Sequence, residues 1–118
     1  MKTEEELLRI EERRNVKVGD GVTRRLYTDK TAYTVVARTA KTLTLQEDTA
    51  TLADGWKPEF VAGGFAGHCV NNETQTYTYT PNPNAPKIKA FWSEKSGAFK
   101  IGNRMLFNGR NKFHDYNF

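Results

Sequence analysis

His68-Cys69 is where this sequence sets an imidazole beside a thiol, and a thiolate activated in that way is a nucleophile. Neighbours on a strand point to opposite faces, however, and would meet only across a kink. The pair therefore reads as a buried thiol next to a histidine bonded to backbone or ligand. A metal has little to hold it. His68, Cys69 and His114 are the whole supply of His and Cys, without Cys-x-x-Cys or His-x-x-x-His spacing, and a carboxylate such as Asp115 would have to complete any site. His114-Asp115 could join a base to its orienting acid, but no nucleophile elbow or suggestive pair of acids accompanies it. No metal or cofactor is expected, and the residues point to a binding protein and not an enzyme.

Binding chemistry has more material. Gly63-Gly64-Phe65-Ala66-Gly67 follows Lys57-Pro58-Glu59-Phe60 and leads into His68-Cys69. Glycine permits positive φ, so successive amides can turn toward a ligand beside the flat face of Phe65. The run lacks the Gly-x-Gly-x-x-Gly order and the Lys-Ser/Thr of a P-loop, so any phosphate contact would rest on amide geometry alone. On a strand, Arg25 and Tyr27 share a face, where they could pair with a phosphate and stack on a base. Trp56, Trp92, Tyr77, Tyr79, Phe113 and Tyr116 interleave with Lys87, Lys89, Arg104, Arg110 and Lys112, some as core and some as surface. The candidate ligand-binding set is Arg25, Tyr27, Gly64, Phe65, Gly67, His68, Trp92 and Arg110.

Charge supports an anionic partner. The 118 residues carry a net charge of +4. It is unevenly spread: residues 1 to 15 hold four cations against five acids, whereas residues 85 to 118 hold seven Lys or Arg against Glu94 and Asp115. A basic C-terminal third attracts phosphates or an acidic protein surface. No run approaches the roughly 20 apolar residues of a membrane span, and Glu4, Glu5 and Glu6 make a poor secretory signal. With one cysteine and no intramolecular disulfide, the expectation is a cytoplasmic protein without membrane contact.

These residues need elements to position them. Thr3-Glu4-Glu5-Glu6 is a capping box ahead of Leu7, Leu8 and Ile10, and with Arg13-Arg14 at the far end it predicts a helix over residues 4–14. Its small apolar stripe should dock on the sheet. From Val16 the period changes to two. Strands are expected over 16–22 entering a Gly-Asp-Gly turn, then 22–28, 32–38 and 42–47, where Leu43 and Leu45 share one face. The segment 48–70 is a long Gly-rich excursion, too long for a passive link. Strands at 74–80, 87–92 and 98–101 follow, then an Asn108-Gly109 turn before a last aromatic strand. The expected organisation is a helix at 1–15 and one β-rich domain at 16–118. Its fold class is mainly β: a small, strongly bent antiparallel sheet or SH3-like barrel with one short N-terminal helix.

Residues 16–50, with their Val16-Lys17-Val18-Gly19-Asp20-Gly21-Val22 opening, resemble SH3-like or KOW-like small barrels, which host RNA, DNA, peptide and small-molecule sites alike. Lys57-Pro58-Glu59-Phe60 to Gly67-His68-Cys69, Phe91-Trp92-Ser93-Glu94-Lys95 and Asp115-Tyr116-Asn117-Phe118 resemble small accessory proteins of phages and mobile elements of gut bacteria. That resemblance implies action on host machinery or host signals within a bacterial cell. The functional expectation is a homo-oligomeric binder of a nucleotide signal or short nucleic acid, in one form a counter-defence protein that sequesters such a signal. The alternative is an inhibitor that uses its basic, aromatic face on a host nuclease, polymerase or defence protein. A nucleotide-turnover enzyme dependent on His68 or His114 is the third.

Overall fold

The computed structural model describes residues 2–53, 55–61, 68–69 and 71–114. The helix forms where its cap predicts, as α1 (Glu4–Arg14), with the Thr3 hydroxyl accepting the Glu6 amide at 3.2 Å. Its docking face differs from the expected stripe. Leu7 and Leu8 remain more than half exposed, while Ile10, Arg13 and Arg14, spaced i, i+3, i+4, turn to the barrel. Ile10 lies so close to Gly97 that a Cβ there would stand 2.6 Å from its Cγ1. At the helix end Arg38 donates to the Arg14 carbonyl at 2.8 Å and to that of Val16, supplying a cation where the dipole is negative.

Six strands close a barrel: β1 (Gly21–Arg25), β2 (Lys30–Arg38), β3 (Thr42–Glu47), β8 (Lys87–Ser93), β9 (Ala98–Ile101) and β10 (Arg104–Asn108). Every neighbouring pair is antiparallel, and β1 pairs with β10 to complete the ring. The small β-barrel with one short helix is thus the fold of this chain. The strand expected over 16–22 begins only at Gly21. Before it, the Asp20 carboxylate accepts the Lys17 amide at 2.9 Å and the Asp20 amide reaches the Lys17 carbonyl, so these residues close a turn. β10 runs into Asn108-Gly109, where no strand was expected, and among the described residues the segment after that turn contributes a single bridge, Lys30 to Phe113.

Alternation fills the interior. Val22, Val35, Leu43, Leu45, Ala90, Phe99 and Leu106 point inward around Tyr33, with Val16 closing one end. Burial pushes the Tyr33 phenol above the ordinary tyrosine value; the Arg24 guanidinium, 5.5 Å over the ring, opposes this and Glu47 reinforces it. The charge of Arg24 is the larger part of its effect, and the buried Tyr33 hydroxyl has no hydrogen bond of good geometry among the described residues.

Between β3 and β8 the chain leaves the barrel. Two antiparallel ribbons form in succession, β4 (Thr49–Leu52) with β7 (Tyr77–Thr80) and β5 (Phe60–Val61) with β6 (His68–Cys69). The radius of gyration, 16.6 Å, exceeds the roughly 13.5 Å of a compact chain of this length, as a projecting arm requires. No helix among the described residues is long and apolar enough to cross a membrane.

Candidate nucleic-acid interface

Charge is sorted strand by strand. The four consecutive barrel strands β8, β9, β10 and β1 contain Lys87, Lys89, Lys100, Arg104, Arg24 and Arg25 and no Asp or Glu. Arg24 turns in over Tyr33, but the lysines of β8 alternate with inward Ile88 and Ala90 and so face solvent. Strand register carries the outer face round the barrel: Lys30 pairs with Arg25, Met105 with Lys100, Lys100 with Phe91, and Phe91 with Thr42. Strands in a closed barrel tilt, so this row winds diagonally. Four gaps of about 4.8 Å between β1 and β3 make it roughly 19 Å long.

Exposed aromatic side chains stand along this cationic row. Tyr27 is 82% exposed, Phe91 57% and Phe107 41%. Arg25 is central. It lines two adjoining grooves of about 270 and 320 Å³ that share Phe107, and a third of about 210 Å³ bounded by Tyr27, Lys30 and Phe113. All three are shallow and open to solvent. Arg25, Lys30, Lys89, Lys100 and Arg104 form no ion pair among the described residues, and of these Lys30 lies over the Phe113 ring at 5.8 Å, so no carboxylate competes with an anion for their charge.

The residues singled out from sequence fall into separate places. Arg25 and Tyr27 come together on the grooves. Trp92 does not join them: it lies half-buried with its ring edge-on to Phe99 at 5.0 Å and beneath the Arg14 guanidinium at 4.8 Å. Arg110 is held elsewhere. Its Nε donates to the buried Asp48 carboxylate at 2.7 Å and its Nη2 to Thr34 Oγ1 at 2.8 Å, and Thr34 in turn donates to Asp48. A Cβ at Gly21 would stand 2.4 Å from Arg110 Cγ, which is why glycine occupies that crossing. Gly64, Phe65 and Gly67 lie outside the described residues, and His68 pairs with Val61 in β6. Cys69 is buried, its thiol 3.3 Å from the Asn71 side-chain oxygen. No group of three His, Cys, Asp or Glu among the described residues could hold a metal ion.

The Arg110 cluster belongs to a strap that crosses the barrel and reaches the arm. The Thr23 hydroxyl donates to the Gly109 carbonyl and accepts the Asn111 amide; the Lys112 amide donates to the Tyr79 hydroxyl, and His114 exchanges two bonds with Gln75. Sequence reasoning passed over Lys30, Phe91, Lys100, Phe107 and Asn111. Parity would have found Phe91: in Lys87-Ile88-Lys89-Ala90-Phe91-Trp92 it falls on the lysine face and Trp92 on the core face.

The class defined here is a small closed β-barrel with one basic, aromatic outer face. Compared with known protein families, curated proteins and solved structures, the chain matches none.

Proposed function

We propose that this protein is a non-enzymatic binder of single-stranded nucleic acid, which it holds across the outer face of β8, β9, β10 and β1. The observation that carries this reading is the union of carboxylate-free cationic strands with exposed Phe91, Phe107 and Tyr27. Cations release counterions from a phosphate backbone, and each base stacked on an aromatic ring adds about 1–3 kcal/mol without regard to sequence. The open grooves favour an extended strand over an enclosed mononucleotide. In the accessory-protein setting that the resemblance implies, such a surface would sequester its ligand and leave it chemically unchanged.

Fluorescence anisotropy with labelled single strands of DNA and RNA, against a duplex of the same sequence, tests it. Single strands should bind more tightly than duplex, with affinity falling steeply as salt rises. Absence of binding to every nucleic acid, accompanied by one stoichiometric protein partner from a bacterial lysate, would replace this reading with that of an inhibitor acting through protein contact.

A further inference from the structure

The outer face of α1 and the groove at the end of that helix carry opposite charge. Glu4, Leu7, Leu8 and Glu11, spaced i, i+3, i+4, i+7, share one exposed face of the helix. Leu7 is 53% exposed and Leu8 59%, and neither Glu4 nor Glu11 forms an ion pair among the described residues. Where the helix stops, a groove of about 630 Å³ opens beside the turn that follows it and the turn joining β2 to β3. Its walls set Lys17, Arg38 and Lys41 among Val18 and Ala40, with no Asp or Glu. Arg38 is engaged by the main-chain carbonyls of Arg14 and Val16, which fixes the groove's shape, whereas Lys17 and Lys41 form no ion pair among the described residues. One surface is thus apolar and acidic, the other apolar and basic.

These surfaces cannot meet within one chain. α1 runs unbroken from its leucines to the groove wall at Arg14, which holds Leu7 about 10 Å away along a rigid rod. We propose that they meet between two copies of the chain, the Leu7–Leu8 face of each protomer docking into the Lys17–Lys41 groove of its partner about a two-fold axis. A two-fold axis forms both contacts at once. Antiparallel packing of the two outer helix faces on each other would instead bring Glu4 toward Glu11, and juxtaposed like charges are unfavourable. The pairing uses no residue of β8, β9, β10 or β1, so it stands whether or not the single-strand reading does.

Sedimentation equilibrium of the full chain at tens of micromolar should give twice the 13.5 kDa mass of one chain. Glu4→Lys with Glu11→Lys, and separately Lys17→Glu with Lys41→Glu, should each weaken self-association about 100-fold, because the symmetry counts every change twice. Mixed in equal amounts, the two variants should recover the wild-type affinity, since every helix face then meets a groove of opposite sign. Recovery would also show that both variants are folded. A monomer throughout the range, with these faces bare or holding some other protein, would overturn the proposal. So would a dimer indifferent to both reversals, a mixture that fails to recover while each variant keeps the native unfolding transition, or polymers longer than two, which signal head-to-tail contacts.

Discussion

Arg110→Met removes the guanidinium from the strap and keeps an alkyl stem over Gly21, so it isolates the charge in the Arg110–Asp48–Thr34 cluster. In the native protein the Asp48 side chain has no exposure and Arg110 retains 27%. After the substitution the carboxylate keeps, among the described residues, only the Thr34 hydroxyl, and Thr34 loses its own donor from Arg110 Nη2. Breaking a buried pair on one side costs about 3–5 kcal/mol, and the partial exposure of Arg110 places this case near 3. Urea unfolding should register it as a midpoint lower by roughly 1.5 M for a slope near 2 kcal/mol/M. Asp48→Asn should cost less, about 1–2 kcal/mol, because the stranded guanidinium can reach water. The double variant contains no uncompensated buried charge. It should fall well short of the sum, with a coupling of about 2–3 kcal/mol. If Arg110→Met cost under about 0.5 kcal/mol and the two substitutions simply added, the cluster would behave as a surface ion pair and the buried-latch interpretation would fail.

Tyr33 predicts an alkaline limb to stability: with its folded-state value raised, the unfolded chain ionises first, so stability falls as pH rises above the ordinary value of 10.0. Urea melts of Tyr33→Phe should lack that contribution and cost little near neutral pH; an identical alkaline slope in both proteins would contradict the burial that drives it. On the outer face, Lys89→Gln with Lys100→Gln should lower the slope of log affinity against log salt by about 1.4 for a single strand. An unchanged slope in anisotropy titrations would place the nucleic acid elsewhere.

Local signals were legible in the sequence and long-range ones were not. Thr3 with Glu6 announces α1, and the alternation of Thr42 to Glu47 gives both β3 and its buried face, because cap and pleat are dictated within a few residues. Val16 to Gly21 misled, since a Val-x-Val pattern is shared by a strand and by a turn that buries one valine and exposes the other. β10 was hidden because Gly102-Asn103, a two-residue hairpin signal with Gly102 at positive φ, went unread between Ile101 and Arg104. Arg110 looked like a free cation. Its partners stand 62 and 76 residues earlier, and no local pattern reveals that a carboxylate waits there in the core.

Joining β1 to β10 also sets the order in which the molecule can be made. Thr23 and Gly109, bonded across that seam, are 86 residues apart. Until β10 has been synthesised, β1 keeps one edge unpaired, and an open edge invites pairing with another chain. Folding must therefore wait on distant contacts, which slows it and lengthens the time the nascent sheet stays adhesive. The clustered lysines of β8 and β9 act during that interval as well. By repelling a second unfinished copy, they would protect the assembly of the same surface that in the finished barrel meets phosphate.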